Sequence, residues 1–345
     1  MAGGYAIKEL TASQRRTYRA MVAIYQAYLA ALGQSRVFHG GMHWKKIRGR
    51  DYLYRYRDRY GHGESLGPRT EQTERLFSLF IEERGEATAR VRRERLLLQE
   101  QAGFCRAAKV NRVPRAAARI LRRLEEQDTG EDLLVIGSAA LYAYEAAAGV
   151  FLDHSRPLDL LAGPSRTLTL LGAGKTAWEA LLRLLRRTDR SFAPLPGGEC
   201  RAGNKDGFQV RLLKSGSRRP GMQKTITVPG AREPLPPEAG HLHFLAAAAK
   251  FSQVVIGKDG GPATMAVADP RAFVLGKLWL SRQEDREESK RVQDQNQALA
   301  VADLVLRYLP QWDYFSTESD MLPQDLVQRA ARFADGADTT GEETG

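Results

Sequence analysis

Residues 133–161, LLVIGSAALYAYEAAAGVFLDHSRPLDLL, constrain the fold more than any other part of the chain. Four apolar residues, Leu133 to Ile136, read as a buried strand that runs straight into Gly137-Ser138. Small helix-forming residues fill positions 139–148, and Gly149 stands where such a helix stops. A further apolar run carries Asp159. A strand, a Gly-Ser turn, a helix and a returning strand with an acid together suit a phosphorylated nucleotide. The turn lets backbone N–H groups and a hydroxyl approach phosphate, and the helix N-terminus favours negative charge. A carboxylate on the next strand is placed to hold a divalent cation on the same phosphates.

The charge is unevenly spread around this stretch. Residues 1–130 carry 26 Lys and Arg against 14 Asp and Glu, whereas the remaining 215 carry 26 against 27. A basic half beside a near-neutral half predicts an anionic partner for the N-terminal part, RNA (tRNA included) or DNA, set against a solvated basic helix surface. Within it, Lys45, Lys46, Arg48, Arg50 and Arg55 interleave with aromatic rings. Tyr52, Tyr54 and Tyr56 alternate at strand period, with Leu53 and Arg55 opposite, and Gly49 is expected to turn a hairpin. Lys45, Lys46, Arg48, Arg50, Tyr52 and Arg55 are therefore the candidate nucleic-acid-binding residues, the cations for phosphate and the rings for bases. The competing expectation is a hairpin whose tyrosines pack on helices and whose arginines meet water.

The other elements follow from local signals. A helix is expected over 11–33, ended by Gly33, and GHGESLGPRT is read as turn chemistry with no regular element. Thr70 should cap a long charged helix to about 108, and Pro114 should open another to 127. Strands are expected at 166–171, 208–213 and 264–267, with helices at 175–187, at 271–281 behind Asp269-Pro270, and at 287–308. These add up to an α+β protein, a mixed β-sheet flanked by helices. A basic, mainly helical region is expected over 1–125, the α/β core over 126–235, a mainly helical segment over 236–333 and a disordered acidic tail over 334–345. No run of ~18 apolar residues predicts a membrane span, and no secretory leader is visible. With Cys105 and Cys200 the only cysteines, and neither at zinc-ligand spacing, a reducing cytoplasm is expected.

Several blocks resemble a known family. GSAALYAYEAAAGV with PLDLL is similar to a bacterial nucleotidyltransferase group of the polymerase β-like superfamily. GMHWKKIRGRDYLYR and ESLGPRT before it resemble further blocks of that group. So do LLRRTDRSF, GNKDGFQVRLL, DPRAFVLGKLWLS and KRVQDQNQALAV after it, in the same order over most of residues 40–305. The resemblance implies a nucleotidyltransferase-like mixed sheet and a nucleoside triphosphate such as ATP as substrate or ligand. It also implies an Asp-x-Asp pair with a third acid on a Val-Asp-Leu strand. The first acid of the pair falls on Pro157, leaving Asp159, and the third falls on Arg211. Proline offers no side-chain ligand, and arginine puts a fixed positive charge where a cation is expected.

What the resemblance leaves is a single Mg²⁺ position on Asp159, with Gly137, Ser138, Arg211 and Lys277 binding nucleotide. Asp159, Lys277 and Asp294 are the catalytic candidates. Lys277 sits among apolar neighbours in FVLGKLWLS, a costly place for an unpaired charge, set against the bland alternative of a snorkelling lysine. Asp294 in KRVQDQNQA would orient it or act as a base, set against a surface pair with Lys290. Ser138 is a phosphate donor or a helix cap. Three functions stay open: nucleotidyl transfer to an RNA or protein hydroxyl, an inactive relative that binds nucleotide or RNA, and a protein-interaction scaffold in a regulatory or defence system.

Overall fold

The structure, a computed structural model, describes residues 5–56, 62–127, 133–154, 166–172, 178–196, 200–214, 242 and 244–312. The chain divides into two compact units. One comprises residues 1–15, 109–259 and 263–345, the other residues 16–108 and 260–262.

The first unit is built on a five-stranded sheet in the order β5-β7-β10-β9-β8. Its strands are β5 (Leu133–Ile136), β7 (Thr167–Gly172), β8 (Ala193–Pro194), β9 (Arg201–Gly203) and β10 (Gln209–Lys214). β7 pairs with β5 antiparallel and with β10 parallel, so the sheet is mixed, as the sequence predicts for an α+β fold. Side chains alternate across it. Leu133, Val135, Leu168, Leu170, Val210 and Leu212 enter the main core. There they meet α3 (Arg115–Glu126), α4 (Leu141–Ala148) and α5 (Trp178–Thr188). Leu134, Ile136 and Leu171 face the other way, against Leu245, Ala268 and Ala272. A strand buried on both faces has to be apolar throughout, which is why LLVI reads as a continuous run.

Around the sheet, β1 (Tyr5–Glu9) pairs antiparallel with β6 (Val150–His154). β11 (Lys250–Ile256) pairs with β12 (Pro262–Ala268). The helices α6 (Pro270–Ser281) and α7 (Glu288–Tyr308) pack together through Val274, Leu275 and Leu278 against Ala298, Val301 and Val305. Asp269 caps α6 by accepting from the Arg271 N–H at 2.7 Å. Buried Tyr144 on α4 donates to the Ala268 carbonyl at 2.8 Å and meets Phe273 edge-on, which locks α4 to the start of α6. Glu145, one residue on, accepts from Leu152 N at 2.9 Å and from Arg112 at 3.0 Å, and so pins β6.

The second unit pairs α1 (Ala12–Arg36) with α2 (Glu71–Ala107). The contacts Gln101 to Thr17, Arg95 to Tyr28 and Arg90 to Gln34 show that the two run antiparallel. Thr70 caps α2 in a reciprocal box with Thr73, as the sequence signals. α1 continues three residues past Gly33, because a helix-interior glycine costs only ~1 kcal/mol and a packed helix absorbs that. The remaining element is a three-stranded antiparallel sheet of β2 (Met42–Ile47), β3 (Arg50–Tyr56) and β4 (Gly63–Pro68). β4 corrects the expectation of irregular chain at GHGESLGPRT. As an edge strand it carries Pro68 in its last position, and Gly67, at φ 116°, adjoins a bulge opposite Leu53 and Tyr54. Arg48 (φ 48°) and Gly49 (φ 80°) are both left-handed, which makes the β2–β3 connection a two-residue turn of the hairpin type.

Candidate functional site

The turn at the end of β5 has the geometry its residues call for. Gly137 takes φ +71°, a conformation an L side chain rarely adopts. Residues Gly137–Ala140 form one 3₁₀ turn leading into α4, which Gly149 ends in the left-handed conformation. The Ser138 hydroxyl accepts from Gln297 Nε2 on α7 at 2.7 Å.

Gln297 is fully buried and lies one turn beyond Asp294, which is 1% exposed. Residues three apart on a helix project from one face about 5–6 Å apart. From that face Asp294 accepts from Lys277 Nζ at 2.6 Å through one oxygen and from Arg286 Nε at 2.6 Å through the other. Lys277 is 8% exposed, with its ammonium 5.6 Å from the Phe273 ring centroid. Burial lowers its pKa from the ordinary lysine value. The charge of Asp294 and its hydrogen bond oppose that shift, and the nearby Arg286 charge adds to it. Two cations and one carboxylate leave the cluster with an excess of one positive charge. Both oxygens of Asp294 are thus engaged, one by Lys277 and one by Arg286.

The sheet register places Arg211. It pairs with Thr169 on β7, and Thr169 pairs with Ile136 on β5, the residue before Gly137. Arg211 therefore shares the Ile136 face two strand spacings away, about 10 Å along the sheet. Asp159, and Pro157 beside it, lie outside the described residues. Among the described residues no three acids, histidines or cysteines come together to hold a metal ion. With arginine where the resemblance implies a third acid, and Asp294 paired with Lys277 and Arg286, the described side chains do not fit a centre of two metal ions.

In the second unit Lys45, Lys46, Arg48 and Arg50 cluster near the hairpin tip, and all four are exposed. By alternation Lys45, Arg50 and Tyr52 share one sheet face, while Lys46 and Arg55 share the face of buried Leu53.

Gln297 escaped the sequence reading. A glutamine in KRVQDQNQALAV looks like any solvated helical residue, and only its one-turn offset from Asp294 marks it.

A family model described as nucleotidyltransferase matches residues 115–319, a span that holds Gly137, Ser138, Arg211, Lys277, Asp294 and Gln297. No curated protein and no solved structure matches the chain.

Proposed function

We propose, from the premise that the chain belongs to the nucleotidyltransferase family, that it binds a nucleoside triphosphate at the β5 turn and transfers the nucleotidyl group to a hydroxyl of RNA or protein. The observation that carries this is the paired contact of α7. One helix face holds Ser138 through Gln297 and Lys277 through Asp294. Ser138 and Lys277 come from elements far apart in sequence and meet one helix.

In this reading Ser138 donates its hydroxyl proton to a phosphate oxygen, because Gln297 already occupies an acceptor position on its oxygen. The ammonium of Lys277 and the guanidinium of Arg211 take up triphosphate charge, the latter with the two-pronged geometry that suits phosphate. Placed positive charge is what nucleotidyl transfer asks of a protein. The oxygen of an acceptor hydroxyl then bonds to the α-phosphorus as its proton passes to water, the bond from the α-phosphorus to the bridging oxygen breaks, and pyrophosphate leaves with that electron pair.

Arg211 at the third-acid position also favours a second reading, in which the same pocket binds nucleotide without turnover. Incubation with each labelled triphosphate, Mg²⁺ or Mn²⁺, and RNA or lysate separates the two. Label transferred to RNA or protein by the wild type and lost in Asp159→Ala and Lys277→Met supports transfer. Saturable binding without transfer supports the second reading. Absence of binding refutes both.

A further inference from the structure

We propose that the outer face of the three-stranded sheet in the second unit binds single-stranded RNA. This goes beyond the nucleotide site and depends on different residues.

The alternation of β2 and β3 sorts their side chains into two unlike faces. One carries Met42, Trp44 and Leu53, which pack with Phe77 and Phe80 of α2. The other carries His43, Lys45 and Ile47 from β2 and Arg50, Tyr52, Tyr54 and Tyr56 from β3. The tyrosines therefore lie on the face away from Phe77 and Phe80 of α2. His43 stacks on Tyr56 with centroids 4.2 Å apart and rings 9° from parallel. Lys45 Nζ stands 5.3 Å from the Tyr54 centroid. His43, Lys45 and Arg50 are exposed.

The third strand places small side chains on this face, where Tyr52, Tyr54 and Tyr56 are half-buried. Opposite Tyr52, Tyr54 and Tyr56 it offers only Pro68, Ser65 and Gly63. Gly63 is required there, because a Cβ would sit 2.9 Å from the Tyr56 ring and 2.8 Å from the Arg55 carbonyl. A larger residue would displace the ring. Acids of the sheet fall on the opposite side. Asp51 and Glu64 share the alternation of Leu53 and Arg55, and Asp51 pairs with Arg69 at 3.4 Å. The outer face is thus aromatic and cationic, without a carboxylate of its own strands, and Arg48 lies at its tip.

That composition selects its partner. Cations beside phosphate give affinity, and ring faces stack bases whatever their identity. The Tyr54 and Tyr56 centroids are 6.1 Å apart, nearly twice the 3.4 Å rise of stacked bases. Neighbouring rings therefore suit bases spread along an extended strand, which a duplex does not present. The phenol hydroxyls and Ser65 supply donors and acceptors for a 2′-hydroxyl, which favours RNA over DNA.

The test is fluorescence anisotropy of the full-length protein with a labelled unstructured RNA oligomer over a range of salt. Tyr54→Leu, which keeps apolar bulk but removes the π face, should weaken binding about tenfold, and Tyr54→Phe should restore it. Lys45→Gln and Arg50→Gln should each reduce the slope of log affinity against log salt by about 0.7. Arg75→Gln, on α2, should leave both unchanged, and circular dichroism checks that each variant is folded. A flat salt response, or Tyr54→Leu binding like the wild type, overturns the proposal. Equal affinity for a duplex or for single-stranded DNA of the same sequence also overturns it.

Discussion

Replacing Asp294 by alanine strands two cations. Arg286 is 28% exposed and can turn to water, but Lys277 is 9% exposed at its side chain and has nowhere to go. Removing one partner of a buried pair costs about 3–5 kcal/mol, mostly the burial of the charge left behind, and that is the loss expected for Asp294→Ala at neutral pH. Lys277→Met should cost less, about 1–2 kcal/mol, because Asp294 keeps the Arg286 bond at 2.6 Å. The double variant Lys277→Met/Asp294→Leu has no buried charge to strand and should recover most of the loss. The pH dependence gives a second handle. The folded pKa of Lys277 lies below its ordinary 10.5, and losing Asp294, which raises it, lowers it further. Between that folded value and 10.5 the unfolded chain binds more protons, so stability rises with pH. The variant starts to gain at a lower pH than the wild type, so the Asp294→Ala deficit should shrink as pH rises from the variant's folded value to the wild type's and stay level above it. Urea unfolding followed by circular dichroism measures it, and hydrogen exchange of the α6 and α7 amides assigns it to this helix pair. An Asp294→Ala protein within about 1 kcal/mol of wild type, or a double variant no better than the single, refutes the reasoning.

Gln297→Glu should cut nucleotide affinity about tenfold or more by titration calorimetry, because the new carboxylate accepts the Ser138 proton and repels phosphate. Unchanged affinity would separate Ser138 from the ligand. Gly260→Ala should destabilise the protein by roughly 3 kcal/mol in urea unfolding, since its Cβ would lie 2.2 Å from the Ala102 carbonyl oxygen at φ +86°. Cys105 is fully buried, and burial pushes its thiol up to about 11 against a smaller opposing pull from Arg106. Iodoacetamide at pH 8 should leave it unmodified in the folded protein and alkylate it after unfolding, as peptide mass mapping would show.

The parts of the fold that could be read from sequence are those fixed by neighbours in the chain. Gly137 and Gly149 stand at the two positive-φ positions that bound the Gly-Ser turn and its helix. Thr70 and Asp269 cap the helices they precede. The Arg48-Gly49 turn sits where alternation on either side puts it. What was hidden depends on partners far off. β4 is glycine-rich and becomes a strand only because β3 offers an edge. β1 and β6, weak on their own, define each other across the chain. α1 overruns Gly33 because α2 packs along it. Ser138, Lys277 and Asp294 stand out in the sequence by residue type, but the glutamine that meets Ser138 does not, because the two are 159 positions apart.

The pairing of β1 with β6 has a consequence for biosynthesis. Glu9 meets Val150, and residues 16–108, all of the second unit but 260–262, are made between them. At about 5–20 residues per second the first strand leaves the ribosome roughly 7–28 seconds before its partner exists. Most of the second unit is made in that interval, while YAIKE has no partner strand. Lys8 and Glu9 set charge at the end of that strand, the usual guard against premature sticking to other nascent chains.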